Sequence, residues 1–379
     1  MSAFLRLIVL AACGPLAAGG EPVREGNPAP SNVRGAEFPW IHPDFRVTFR
    51  VRAPEAGAVA VAGRAADSGM HGSSPYAMER DGDGTWTVTT EPVRPGFHYY
   101  ELLIDGHRTT DPSSQTFFGW GQPTSGLEVP DPELDFYAFK DVPHGQVAVH
   151  WYRSAITGQP RRAYVYSPPG YGKSDAHYPV LYLQHGAGEN ETSWTWQGKA
   201  NLILDNLIAA GEAVPMLVVM DCGYAERPGA TGPDRRGNEA FGEVLLNDLV
   251  PLVDTTYRTR PDRKNRALAG LSMGAGQALS IGFANLDTFA SVAAMSGGRS
   301  DPLGDTDLSP AELNAQLDLL WLGYGREDGG YDRGVTLHET WEAAGLEHVW
   351  SEGPGSHEWQ VWRKHLHELA PQLFAAERE

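Results

Sequence analysis

Residues 264–286, KNRALAGLSMGAGQALSIGFANL, decide how the rest of the chain is read. Residues 266–271 form an apolar run of strand length, and a helical pattern begins at Gly274. Between them stands G-x-S-x-G, with Ser272 at its centre. Glycine on either side lets a strand turn sharply into a helix and lets the two pack closely. Such a turn also aims a helix N-terminus, which favours negative charge, at the place where the hydroxyl stands. The spacing nominates Ser272 as a nucleophile, if a base, an acid and an oxyanion donor stand elsewhere.

A serine hydroxyl needs a base to take its proton. His357 lies in the Gly/Pro/Ser-rich loop of SEGPGSHEW, after a strand pattern (residues 347–353) and before an amphipathic helix. His365 and His367 fall inside that helix, and His338 and His348 at a helix and a strand start, so His357 is the candidate base. The acid that orients it should follow a strand. In LDLLWLGYGREDGGYD, residues 317–332, Asp328 follows the apolar run most directly, with Glu327 and Asp332 as the other loop acids. The oxyanion hole needs fixed backbone N–H groups. Met273, directly after the serine, supplies one. Ala187, in the Gly-rich HGAGEN (residues 185–190) after YPVLYLQ, supplies the other, with His185 supporting that loop.

Several other strand-like runs, among them YPVLYLQ, MLVVMD, FASVAAMSG and LDLLWLGYG, are apolar enough for burial on both faces. Helical patterns separate them, so residues 146–379 read as an α/β domain with a mainly parallel sheet. Residues 44–130 have another texture. Short β-branched and aromatic runs such as FRVTFRVRAP, GTWTVTTEP and FHYYELLIDG alternate with turn clusters, the pattern of a β-sandwich. Residues 21–43 and 131–145 read as linkers. Residues 1–20, with Arg6, a short apolar run and a small-residue tail, have the build of an export signal. The expected location is secreted or periplasmic. Residues 10–13, LAAC, also match a lipoprotein box that would anchor Cys13 to lipid, an alternative to free release.

The net charge of −18 argues against a nucleic-acid or anionic-lipid partner, and the expected partners are a polysaccharide or a small ester. Cys13 and Cys222 are the only cysteines. No Cys/His spacing suggests a metal, and no cofactor is expected.

With these pieces placed, five stretches (142–171, 178–194, 203–225, 262–279 and 355–366) together resemble carbohydrate esterase family one, the feruloyl and acetylxylan esterases of the α/β-hydrolase fold. The β-rich region resembles the immunoglobulin-like, glycogen-binding-type module that precedes some of these enzymes. The resemblance places the nucleophile, acid and base at Ser272, Asp328 and His357. It implies a secreted serine esterase acting on feruloyl esters of plant polysaccharide such as arabinoxylan. Acetylxylan esterase, siderophore esterase and an inert carbohydrate-binding protein are the competing expectations. Two positions depart from the family pattern: Met220-Asp221-Cys222 stands where Met-Pro-Asn is usual, and Ala275 interrupts the glycine run after the serine. Candidate substrate contacts are Trp194, Trp359 and Gln277, with residues 223–242 as a loop over the cleft. Trp86, Tyr99, Tyr100, Phe117, Phe118 and Trp120 are shared among a sugar platform, the sandwich core and the interface with the catalytic domain.

Overall fold

Strands apolar at every position offer no face to water, and they occupy the middle of a sheet covered on both sides. The computed structural model describes residues 25–63, 70, 75–230, 238–297, 303 and 306–375. The expected export signal and Cys13 lie outside these residues. An eight-stranded sheet is built from β1 (Gln146–Arg153), β2 (Pro160–Ser167), β3 (Val180–Gln184), β4 (Leu217–Asp221), β5 (Arg266–Leu271), β6 (Ser291–Met295), β7 (Leu319–Gly325) and β8 (Val349–Gly353). Their order is β1-β2-β4-β3-β5-β6-β7-β8. From β4 through β8 the neighbours run parallel, while β1 and β2 pair antiparallel at one edge. The four central strands β3 to β6 are buried throughout. β1, at the sheet edge, was not among the strands expected; none of its side chains is buried.

Alternate residues of these strands feed two cores. On one side Leu181, Leu183, Val218 and Ala269 meet α1 (Ala200–Ala209) and α4 (Trp359–Leu369). On the other, Tyr182, Val219 and Leu268 meet α2 (Met273–Ala284) and the helical segment 238–256. Further along, α2 and α3 (Tyr331–Ala344) cover β6 and β7 on that same side. The helical pattern of residues 243–257 begins earlier in the structure, being α-helical at Asn238–Glu243, π-helical at Val244–Leu249 and α-helical again at Val250–Thr256. Pro251 has no N–H to continue an α-helical ladder, which accounts for the change of register.

The N-terminal region forms a five-stranded and a six-stranded antiparallel sheet around Val47, Phe49, Val61, Tyr100 and Leu127. Part of the expected linker 21–43 belongs to it: Asn27–Pro28 and Trp40–Ile41 pair at the edge of the five-stranded sheet. Apolar Ala29, Phe38 and Ile41 are buried there, and Asn32 donates to the Ala36 and Pro39 carbonyls. The segment 131–145 has no regular element and packs on α1, where Asn206 donates to the Phe136 and Ala138 carbonyls.

The sandwich and the α/β sheet share a core. Phe97, Tyr99 and Phe117 of the sandwich belong to the apolar cluster of Leu181, Trp194 and Trp359. Buried Arg363 on α4 makes a two-pronged bond to Glu128 of the sandwich, at 2.7 and 2.8 Å.

Candidate active site

β5 ends at Leu271 and α2 begins at Met273, so Ser272 alone makes the turn, at φ 53 and ψ −110. That conformation is strained for a residue with a side chain, and the surroundings hold it. Its N–H donates to the Met295 carbonyl on β6 at 2.8 Å. A Cβ on Gly270 would lie 2.4 Å from the Gly274 carbonyl oxygen, and one on Gly274 2.6 Å from that of His185. Only glycine fits either place.

His357 leaves β8 toward α4 and stands beside the serine. Its Nε2 is 2.9 Å from Ser272 Oγ, and its Nδ1 is 2.7 Å from Asp328 Oδ2. Burial pushes the Asp328 carboxyl up, but the bond and charge of His357 outweigh it and hold the group below the usual carboxylate range. The Gly330 N–H, donating at 2.7 Å, fixes its other oxygen. Glu327, one of the other two loop acids, accepts the Gly355 N–H and so ties down the histidine-bearing loop. Asp332 sits in the first turn of α3.

Met273 opens α2, so its N–H has no partner within the helix. Gly186 and Ala187 border the same cavity as Ser272. Several groups hold their loop. His185 is buried, with Nδ1 2.8 Å from the Gly186 carbonyl and Nε2 accepting the Gly223 N–H at 2.9 Å. Burial lowers its pKa to about 4, so the ring is neutral at neutral pH. Tyr224 Oη accepts the Gly188 N–H at 2.7 Å, and the Gly188 carbonyl accepts the Gly121 N–H of the sandwich at 2.7 Å.

Glu189, unremarked in the sequence, is buried in this loop. Its Oε2 accepts the Gly186 N–H at 3.2 Å, and its Oε1 accepts the Tyr99 hydroxyl and the Trp359 indole N–H, both at 3.0 Å. Burial raises its pKa to about 7.

A cavity of about 190 Å³ opens on Ser272. Phe97, Tyr99 and Trp120 wall it from the sandwich, and Glu358, Trp359 and Trp362 from the start of α4. Of the three candidate substrate contacts, Trp359 lines this cavity. Trp194 and Gln277 do not. Trp194 is buried behind the wall, donating to the Gln184 carbonyl at 2.9 Å and packing edge-on against Trp359. Gln277 is buried on α2 and donates to the Gly223 carbonyl at 2.8 Å. Both shape the loops around the site and neither lines the cavity. Of the six sandwich aromatics, Trp86 and Tyr100 are sandwich core. Phe117 and Phe118 line a separate groove, and Tyr99 and Trp120 reach the catalytic cavity. Of the loop 223–242, residues 231–237 lie outside the described part. Cys222 is half-buried and unpaired, and burial pushes its thiol up to about 11. Among the described residues no group of three or more His, Cys, Asp or Glu is placed to hold a metal.

A hydroxyl, an imidazole steadied by a carboxylate, and N–H groups at a helix start and a glycine loop together suit acyl transfer through a covalent intermediate. Known proteins agree with that chemistry. The family model described as "Putative esterase" matches residues 154–321. An endo-1,4-beta-xylanase/feruloyl esterase of Xylanibacter ruminicola is 39% identical over 365 residues, 93% of this chain and 48% of that protein. The chain thus spans about half the length of that relative. The CE1 ferulic acid esterase of the fungus Anaeromyces mucronatus superposes with a TM-score of 0.57 at 27% identity, covering 64% of this chain and 97% of that one. The enterobactin esterase of Shigella flexneri shares the fold, at TM-score 0.65 and 19% identity, over 88% of this chain and 94% of that one. The chain thus has the α/β-hydrolase fold, matches an esterase model over residues 154–321, and is similar there to the ferulic acid esterases of carbohydrate esterase family one.

Proposed function

We propose that the protein hydrolyses feruloyl or related hydroxycinnamoyl esters of plant cell-wall polysaccharide. His357 Nε2 takes the proton as Ser272 Oγ attacks the ester carbonyl, and Asp328 stabilises the imidazolium. The oxyanion collects the N–H groups of Met273 and Ala187. His357 then gives the proton to the departing sugar oxygen, and water, activated by the same histidine, releases the acid.

The observation that carries the acyl choice is the cavity wall. Phe97, Trp120, Trp359 and Trp362 surround the space beside Ser272, and a flat aromatic acyl group fills such a slot where an acetyl group leaves it empty. The names of the xylanase/feruloyl esterase relative and the ferulic acid esterase neighbour point the same way. Against a siderophore reading, the lining among the described residues holds Glu189 and Glu358 and neither Lys nor Arg, a poor match for an anionic iron chelate.

The test is kcat/KM on methyl ferulate against acetylated xylo-oligosaccharide. Methyl ferulate should be the better substrate, and Trp120→Ala should lower its kcat/KM about fivefold, the scale of one stacking contact. Faster deacetylation, indifferent to Trp120→Ala, would leave an acetyl esterase.

A further inference from the structure

Tryptophan is seldom left facing water. Of the chain's 11 tryptophans, three are exposed: Trp120, Trp151 and Trp196, at 48%, 63% and 46%. Each borders a different depression, and one loop runs past all three. Trp120 borders the catalytic cavity, together with Ala187 and Glu189. Trp196 borders a groove of about 270 Å³ with Tyr164, Asn190 and Thr192. Trp151 borders another of about 250 Å³ with Arg162 and Glu191. Residues 187 and 191 are four links apart and so lie within about 14 Å of each other.

The sheet register connects the outer two. Trp151 on β1 stands opposite Arg162 on β2. Arg162 and Tyr164, two residues apart, face the same side of the sheet. A continuous surface therefore leads from Trp151 through Arg162, Tyr164 and Trp196 to the loop beside Ser272. Its charges are matched: Arg162 pairs with Glu191, and Arg161 with Asp221. The Arg162 guanidinium also lies over the Trp151 ring, 5.6 Å from its centre.

Flat rings separated by neutralised polar groups suit a ligand with apolar C–H faces and a rim of hydroxyls, carrying no net charge. We propose that this surface is a docking track for a neutral, extended polysaccharide backbone, which delivers its ester side group to Ser272. The inference rests on the reading of a polysaccharide ester as substrate and adds where the backbone lies.

Binding can be read apart from chemistry, in the full chain carrying Ser272→Ala and with de-esterified arabinoxylan in affinity electrophoresis. The Ser272→Ala chain should be retarded, and adding Trp151→Ala or Trp196→Ala should weaken binding about twofold to tenfold each, the range of a stacking contact. Trp151→Phe, which keeps a ring, should restore most of the loss. Trp196 packs edge-on against Phe117 at 6.5 Å, so the more exposed Trp151 is the safer probe of the two. In the active enzyme, Trp151→Ala should lower kcat/KM on feruloylated arabinoxylan relative to methyl ferulate. Equal retardation of all variants, or none for the Ser272→Ala chain, overturns the track. Turnover of methyl ferulate without polysaccharide binding rejects the track and keeps the acyl reading. Ring-dependent binding with no methyl ferulate turnover does the reverse.

Discussion

Asp328 holds the Nδ1 proton of His357 in place, which leaves Nε2 free to accept from Ser272. An asparagine there can donate its amide to Nδ1 and so put the ring's proton on the wrong nitrogen. Asp328→Asn should therefore lower kcat by about 10³- to 10⁴-fold, and less than a tenfold loss would move the acid's role elsewhere. Glu189 accepts three donors at once, one of them the Gly186 N–H of the oxyanion loop. A glutamine must turn its amide N–H groups toward at least one of these donors. Glu189→Gln should lower kcat on p-nitrophenyl acetate about tenfold to a hundredfold, with KM little changed, somewhat less than loss of an oxyanion donor outright. An unchanged kcat per titrated active site, with a lower Tm, would reduce Glu189 to a packing residue. Buried His185 and His365 have pKa values lowered by burial to about 4 and about 3, against about 6.5 when unfolded. The unfolded chain binds protons that the folded one refuses, so stability is full above about pH 6.5 and is lost as pH falls toward 4. For His185 alone the loss is on the order of 3 kcal/mol. Protonation of buried Glu189, whose pKa is raised to about 7, offsets part of this loss. Urea midpoints between pH 7.5 and 4 should therefore fall by less than the two rings alone would give, and a rise would contradict the burial of both rings.

At the scale of elements, the elbow works because β5 and α2 touch through glycines. Gly270→Ala would press a methyl against backbone, the Gly274 carbonyl, and backbone cannot swing aside as a side chain does. Overpacking of this kind costs about 1–3 kcal/mol and should displace Ser272 as well, so stability and turnover should fall together. α4 serves both the site and the interface. Its first turn carries Trp359 and Trp362 into the cavity wall, and one turn later Arg363 grips Glu128. Burial pushes the Glu128 carboxyl up, but Arg363 outweighs it and holds the group below its ordinary range. Arg363→Met leaves that carboxylate buried without its partner, at a cost of about 3–5 kcal/mol. Adding Glu128→Gln should return part of the loss, as a double-mutant cycle in urea can measure.

For the whole molecule, the sandwich is part of the site. It supplies Phe97, Tyr99 and Trp120 to the cavity wall and a hydrogen bond to the oxyanion loop through Gly121. Removing residues up to 130 would uncover Trp359 and Trp194, and with them an apolar surface. The truncated chain should be poorly soluble and should lose about tenfold or more of its methyl ferulate turnover, since small misplacements in an active site are costly. Full solubility and full turnover would make the sandwich an independent appendage.

The chemistry of the site was legible in the sequence because its parts are local. A nucleophile turn is marked by Gly270 and Gly274, a base by the loop before an amphipathic helix, an acid by the end of an apolar strand. Each follows from a few neighbouring residues, and the structure brings Ser272, His357 and Asp328 within hydrogen-bond distance. The substrate side was not legible. Trp194 and Gln277 sit near the right motifs in sequence, but their side chains point into the core, and no local pattern reports that direction. Glu189 meets a tyrosine 90 residues away, and that tyrosine meets Trp359 at a separation of 260. Contacts of that range are set by how one sheet packs on another. The catalytic machinery is therefore a property of the sequence, while the walls of the cavity and the company of Glu189 belong to the tertiary packing.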